Sequence, residues 1–139
     1  VSESTCHFDD QRVEELASLA AANNASIGVT GYLHFSRGRF VQCLEGELGV
    51  VEALLGRIER APRHEVLGRV WRRVAAGRRF PRWSMRRVRD REMTEIGLEH
   101  ILEDQVLLSG RVGKEDVELH QSIWRLIDTL AVSLHDRRD

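Results

Sequence analysis

The chain is 139 residues long, with 21 Lys and Arg against 22 Asp and Glu, a formal charge of −1 and 42% hydrophobic residues. That is one domain of ordinary size, able to build a core without disulfides or metals. No apolar run approaches the ~20 residues a membrane-spanning helix needs, and the near-neutral balance gives no global pull toward nucleic acid or anionic lipid.

The first predicted element is a helix from about Asp9 to Asn24. Asp9 and Asp10 supply an N-cap oxygen and a negative first turn, and Val13, Leu16, Ala17, Ala20 and Asn24 recur at helical spacing. Asn24 therefore shares the apolar face, where its carboxamide needs partners. A hairpin follows: Val29, Gly31, Leu33 and Phe35 alternate with Thr30, Tyr32 and His34, Ser36 to Arg39 make the turn, and Phe40 to Glu45 return. On the return strand Phe40, Gln42 and Leu44 share one face, so Gln42 turns inward with its two apolar neighbours.

A second helix is predicted over Leu48 to Arg60, with Val51, Leu54, Leu55 and Ile58 as its stripe and Pro62 as its stop. Arg57 and Ala61 lie on the flank of that stripe. Two strands are expected next, Val66 to Val74 and Trp83 to Val88, then helices over 92–104 and about 114–135 separated by a Gly110/Gly113 loop. Between Arg69 and Arg91 there are ten Arg and one acid, whereas the residues after Arg91 carry an acidic excess. The expectation is that this acidic segment folds over its own basic strands rather than that the basic block binds nucleic acid. Cys6 and Cys43 sit in no CxxC pattern, which predicts a reduced, cytoplasmic protein with Cys43 on a strand and Cys6 free.

This order predicts an α+β fold, a small sheet with helices packed on it. An initial strand would complete the βαββαβ pattern of a ferredoxin-like sheet, with two helices on one face and the C-terminal helices on the other. Two inward carboxamides (Asn24 and Gln42), Arg57 on the second helix and Arg63-His64 beyond it are candidates to converge on one planar, polar ligand. Each is also open to satisfaction by backbone or water alone.

The ordered series of motifs narrows this. Asn23-Asn24, Val29-Thr30-Gly31, Phe40-Val41-Gln42-Cys43-Leu44-Glu45-Gly46, Pro62-Arg63-His64 and Arg79-Phe80-Pro81-Arg82-Trp83-Ser84-Met85 occur in turn. The series resembles the BLUF family of blue-light sensors over residues 1 to about 89. The resemblance implies FAD held non-covalently between the first two helices. It implies that Asn24 bonds the flavin ring, that Gln42 is the hydrogen-bond switch, and that Trp83 and Met85, on the fifth strand, relay the change. It also implies that Arg57, Arg63 and His64 help hold the cofactor. Residues 1–91 would then be the flavin-binding domain and 92–139 a helical extension passing the signal to a protein partner, with a homo-oligomer left open and no enzyme activity of its own.

Three positions depart from the family pattern. Ala61 stands where the family usually has Asp, and Ala20 lacks a hydroxyl that some members carry. The photochemical Tyr of the family would fall immediately before Val1, and Tyr32 occupies a different position on the opposite face of the hairpin. A start inside the family's opening motif, without Met, favours a sequence cropped of its first strand and Tyr over a degenerate homologue. The alternative function is a flavin-free, BLUF-like module that binds a protein constitutively. The His and Cys spacings match no zinc site, and His64 has no nucleophile or carboxylate at a telling spacing.

Overall fold

The computed structural model describes residues 1–4, 8–62, 64–70, 72, 77–112 and 116–136, with His64 and Val112 described by their backbone alone. The elements are β1 (Ser2–Ser4), α1 (Asp10–Ser26), β2 (Thr30–Ser36), β3 (Arg39–Glu45), α2 (Leu48–Arg60), β4 (His64–Val66), β5 (Arg86–Val88), α3 (Asp90–Ile96), α4 (Ile101–Val112) and α5 (Val117–His135). The sheet order is β4-β1-β3-β2-β5. Its first four strands are antiparallel to their neighbours, and β5 joins β2 in parallel. This is the ferredoxin-like arrangement extended by one strand, as the sequence predicts.

The alternation along the hairpin sorts its side chains into two layers. Leu33, Phe40 and, beside them, Phe35 and Leu44 pack with Val13 and Ala17 of α1. Tyr32, Val41, Cys43 and Val88 face the other way, onto Met93, Leu102, Val106, Ile123, Ile127, Leu130 and Leu134 of the C-terminal helices. Leu102, Ile123, Leu130 and Leu134 are at most 1% exposed. At about 2–3 kcal/mol for each such side chain removed from water, the C-terminal helices are bound to the sheet by a core of their own.

Asp9 caps α1 as predicted, its Oδ1 accepting from the Arg12 N–H at 2.8 Å. The second helix matches its predicted bounds, and its chain end is set by Pro62 after Ala61.

Five expectations about the secondary structure need correction. The first strand was placed upstream of Val1, but a strand lies at Ser2–Ser4 in the middle of the sheet. Its Ser-Glu-Ser sequence carries no apolar alternation, so only the backbone bonding to β3 and β4 reveals it. The strand predicted over Val66–Val74 is β4 at His64–Val66, and Val74 lies outside the described residues. Beyond Val66 the chain runs beneath α4, so close that a Cβ on Gly68 would sit 2.9 Å from the Val106 carbonyl oxygen. The predicted 92–104 helix is two helices, because Gly97 takes a left-handed conformation (φ 85°) and its N–H returns to the Met93 carbonyl at 3.1 Å. Gly110, predicted to be in a loop, lies inside α4, where a Cβ would meet the Leu67 oxygen at 3.1 Å.

The fifth correction concerns Trp83 and Met85, which precede β5 rather than lying on it. The Gly31 N–H still reaches the Trp83 carbonyl (2.9 Å), while the chain bends at Ser84, whose carbonyl accepts from Asn24 Nδ2 of α1 (2.8 Å).

Much of the basic block is paired within the chain. Arg87 and Arg89 reach Asp10 and Glu14 of α1, Arg72 and Arg79 reach Asp128 of α5, and Arg86 reaches Glu92. Arg69 pairs with Glu59. Earlier in the chain, Arg37 and Arg39 meet the buried Glu103 of α4 at 3.4 Å. The acidic C-terminal segment thus meets the basic block at Asp128 and Glu92, whereas Arg87, Arg89 and Arg69 take their partners from α1 and α2.

A polar clamp, buried at its β2 end, joins β2 to α3. His34 is 3% exposed, and its Nε2 lies 2.7 Å from Asp90 Oδ1, while Ser36 Oγ donates to Oδ2 at 3.2 Å. Partial desolvation pushes the Asp90 carboxyl up, but the bonds from His34 and Ser36, with the nearby His34 and His100 charges, outweigh it and hold the carboxyl below its ordinary value. The folded chain thus binds this proton more weakly than the unfolded chain. The clamp's contribution is present above the ordinary carboxylate range of about 4 and is lost as pH falls through the lowered value. Urea midpoints at neutral and acidic pH are expected to show this loss, and Asp90→Asn to flatten it. An unchanged acid slope in that variant would show that the clamp contributes no acid-sensitive stability.

Candidate functional site

A cavity of about 130 Å³ opens beside β3. Phe40, Gln42 and Leu44 line it from the strand, and Val51, Leu55 and Ile58 line it from α2. Two features of the local structure make this space. First, β1 pairs with β3 only at Arg39 and Phe40, so no described strand runs alongside Gln42 and Leu44 on that edge. Second, α2 is incompletely seated. Of its apolar stripe Val51, Leu54, Leu55 and Ile58, Val51 is buried and the other three stay half-buried. The lining continues past the edge of β3 to Tyr32 and Cys43 in the opposite layer.

The polar groups in this lining are few and distinct. Gln42 is half-buried between Phe40 and Leu44, paired across the hairpin with Leu33. Tyr32 is 1% exposed, and its hydroxyl is buried without a hydrogen-bond partner. Burial, with the neighbouring Cys43 adding to it, pushes its ionisation well above the ordinary value, so this phenol stays neutral. Burial likewise pushes the Cys43 thiol up, which makes it a small apolar neighbour rather than a nucleophile. An amide at the edge of an apolar slot suits a flat ring that carries hydrogen-bonding atoms on one margin, since Gln offers both a donor and an acceptor.

The other predicted site residues are placed as follows. Asn24 is 2% exposed, as its position on the apolar face of α1 requires, and its carboxamide ties α1 to the Ser84 carbonyl. Met85 is buried in the α1-side layer with Leu33 and Phe40. Trp83, two residues away, packs against the opposite layer. Asn24, Trp83 and Met85 are thus brought together on one short segment, and Gly31 joins that segment to β2, two residues before the Leu33 that pairs with Gln42. Arg57 is exposed on α2, outside the cavity lining, and Ala61 caps the helix with its N–H on the Ile58 carbonyl. Arg63 lies outside the described residues, and His64 is seen only as the first residue of β4.

One residue of this region escaped the sequence reading. Glu45, at the end of β3, accepts from the backbone N–H groups of Arg79 (2.7 Å) and Phe80 (2.8 Å). It pins the start of the Arg79–Met85 motif to the hairpin and seats the fully buried Phe80 ring 5.1 Å from that of Tyr32. The signal in the sequence is a Glu directly after the apolar Leu44 at the end of the strand. Among the described residues there is no group of three or more His, Cys, Asp or Glu arranged to hold a metal ion, and no helix is long and apolar enough to cross a membrane.

Comparison with known proteins adds to this geometry. The family model described as BLUF, sensors of blue-light using FAD, matches residues 1–86. The photoactivated adenylate cyclase subunit beta of Euglena gracilis is 33% identical over 76 residues, which are 55% of this chain and 9% of that protein. The chain therefore spans about a tenth of the length of that curated relative. Among solved structures, the dark state of the BLUF protein BlrB superposes with a TM-score of 0.67 at 24% identity, over 95% of this chain and 91% of that one, a likeness of fold. Klebsiella pneumoniae BlrP1, solved with FMN and cyclic diGMP, is 32% identical with a TM-score of 0.60, over 73% of this chain and 28% of that one.

Proposed function

The chain belongs to the BLUF family, sensors of blue-light using FAD, and from that premise we propose that it is a blue-light photoreceptor that binds FAD non-covalently against β3 and α2. The observation that carries the proposal is the half-buried Gln42 carboxamide on the wall of an otherwise largely apolar cavity, beneath a helix whose apolar stripe is only partly covered. A bound flavin would supply the absorption of blue light and a ring margin whose hydrogen bonding changes on excitation.

The residues of the chain divide the remaining work. Val51, Leu55 and Ile58 give the ring an apolar bed and exclude water. Gln42 holds the ring margin and, by rotating its amide, exchanges a donor for an acceptor at the same place. Two such arrangements separated by a small free energy make a switch that light repopulates. Leu33 lies opposite Gln42 in the hairpin, and Leu33 and Met85 share one packed layer. A rotated amide therefore reaches the Trp83–Met85 segment through contacts already in place. Arg57, Arg63 and His64 are assigned to the outer parts of the cofactor. The signal would pass through the C-terminal helices to a protein partner, with this chain performing no chemistry on a substrate.

A second reading keeps the fold and drops the flavin, leaving a module that binds its partner constitutively. Asn24 engaged with Ser84, Arg57 outside the cavity and Ala61 in place of an acid favour it. The visible absorption spectrum of the purified protein, supplied with FAD and in parallel with FMN, separates the two. A flavin band that shifts reversibly to the red under blue light is the result expected of the sensor. Protein that retains neither flavin is the result that overturns it and leaves the constitutive module.

A further inference from the structure

The segment before β5 touches both layers of the molecule. Its Met85 side chain is 8% exposed, within the α1-side layer, whereas Trp83 packs on the layer formed with the C-terminal helices. In a regular strand residues two apart would point the same way. Here the bend at Ser84, whose carbonyl accepts from Asn24 Nδ2, sends them apart.

On the far side Trp83 meets a particular residue of α5. The ring of His135 lies 4.6 Å from that of Trp83, centroid to centroid, with 45° between their planes. The Arg86 guanidinium stands 5.1 Å from the centroid of the same indole. His135 is oriented by its own helix, with Nδ1 donating to the Ala131 carbonyl at 2.6 Å. That bond makes Nδ1 the donor, and Nε2 is buried and without a hydrogen-bond partner. Buried polar atoms are ordinarily satisfied.

We infer that His135 is a positioning residue through which α5 reads the Trp83–Met85 segment, so that the state of Asn24 on one face of the sheet is felt at the last turn of α5 on the other. The path is continuous: Asn24 to the Ser84 carbonyl, along one peptide to Trp83, and from the indole to the His135 ring. The inference deepens the sensor reading by naming the point where a signal leaves the sheet, and it rests on that reading for the signal itself. The mechanical coupling stands apart from light.

The test is amide hydrogen exchange in the last turn of α5, Leu130 to His135, on the whole chain kept in the dark. Asn24→Ala, which deletes the donor to Ser84, is expected to speed exchange there by about fivefold, the equivalent of one hydrogen bond. In a His135→Ala background the same substitution is expected to change nothing further, and His135→Phe, which restores a ring against Trp83, is expected to restore the response. Asn24→Asp removes the donor with little change in size and serves in the same way if the alanine variant does not fold. Unchanged exchange on altering Asn24, or an equal change with and without His135, would overturn the coupling. A chain that ignores blue light yet shows this coupling would sink the sensor reading alone, and a chain with an intact photoshift and an uncoupled α5 would sink this inference alone.

Discussion

Replacing Gly31 with alanine should cost more stability than any other single methyl added to the sheet. A Cβ on Gly31 would lie 1.7 Å from the Cys43 carbonyl oxygen and 2.8 Å from its carbon, and both are backbone atoms of the paired strand. No rotamer relieves a clash with the partner strand itself, so β2 has to move off β3. Because β2 lies between β3 and β5, the same movement would press it onto the Trp83 carbonyl that the Gly31 N–H binds and displace the segment that carries Met85. We expect a loss of at least about 3 kcal/mol, at the upper end of overpacking effects, or a fall in Tm on the order of 10 °C for a chain of this size. Gly38 is the comparison: at the hairpin tip its φ is 77° and nothing lies within 4 Å of its added Cβ, so Gly38→Ala should cost about 1–2 kcal/mol from backbone strain alone. Denaturant titration of the two variants measures the order. An alanine tolerated better at Gly31 than at Gly38 would mean that the two strands are not this close.

The second large effect is expected at Gln42, and it concerns response rather than stability. Gln42→Leu changes little in volume, and its neighbours Phe40, Leu44 and Leu55 already form an apolar lining, so the fold should persist. A flavin would lose one hydrogen bond, about 1 kcal/mol or roughly a fivefold weaker Kd. The reversible red shift, by contrast, should vanish completely, because leucine has no donor and acceptor to exchange. Difference spectra of the flavin-loaded variant before and after blue light provide the measurement. A photoshift of full size in Gln42→Leu would move the switch to another residue.

The two helices and the hairpin at the front of the chain are legible because their signals are local. Alternation places Phe40, Gln42 and Leu44 together, Pro62 ends α2, and Asp9 caps α1 by a bond three residues away. What could not be read depends on partners distant in sequence. Gly97 and Gly110 are equivalent as letters, yet one ends a helix through its own backbone while the other admits a neighbouring segment to a helix that continues. The bend before the short β5 is held by Asn24, 60 residues from the carbonyl it binds. At the candidate site, parity of the strand is enough to bring Gln42 inward. The places of Trp83 and Met85 on opposite layers are not, because a bend held by a side chain has no period. His135 was hidden for the same reason, as a polar residue ending an amphipathic helix whose ring contact is made 52 residues back along the chain.

The sheet order also has a consequence for the order in which the molecule assembles. In the order β4-β1-β3-β2-β5, the strand nearest the start of the chain is the only hydrogen-bonded bridge between β4 and the rest of the sheet among the described residues. Ser2 pairs with Phe40 on one side and with Val66 on the other. The β2–β3 hairpin needs only a four-residue turn and can form early. By contrast, β1 must close one long loop to reach β3 and a longer one to reach β4. Of these five strands the first in the sequence is thus among the last to be placed, and β4 can join only a sheet that β1 has already entered.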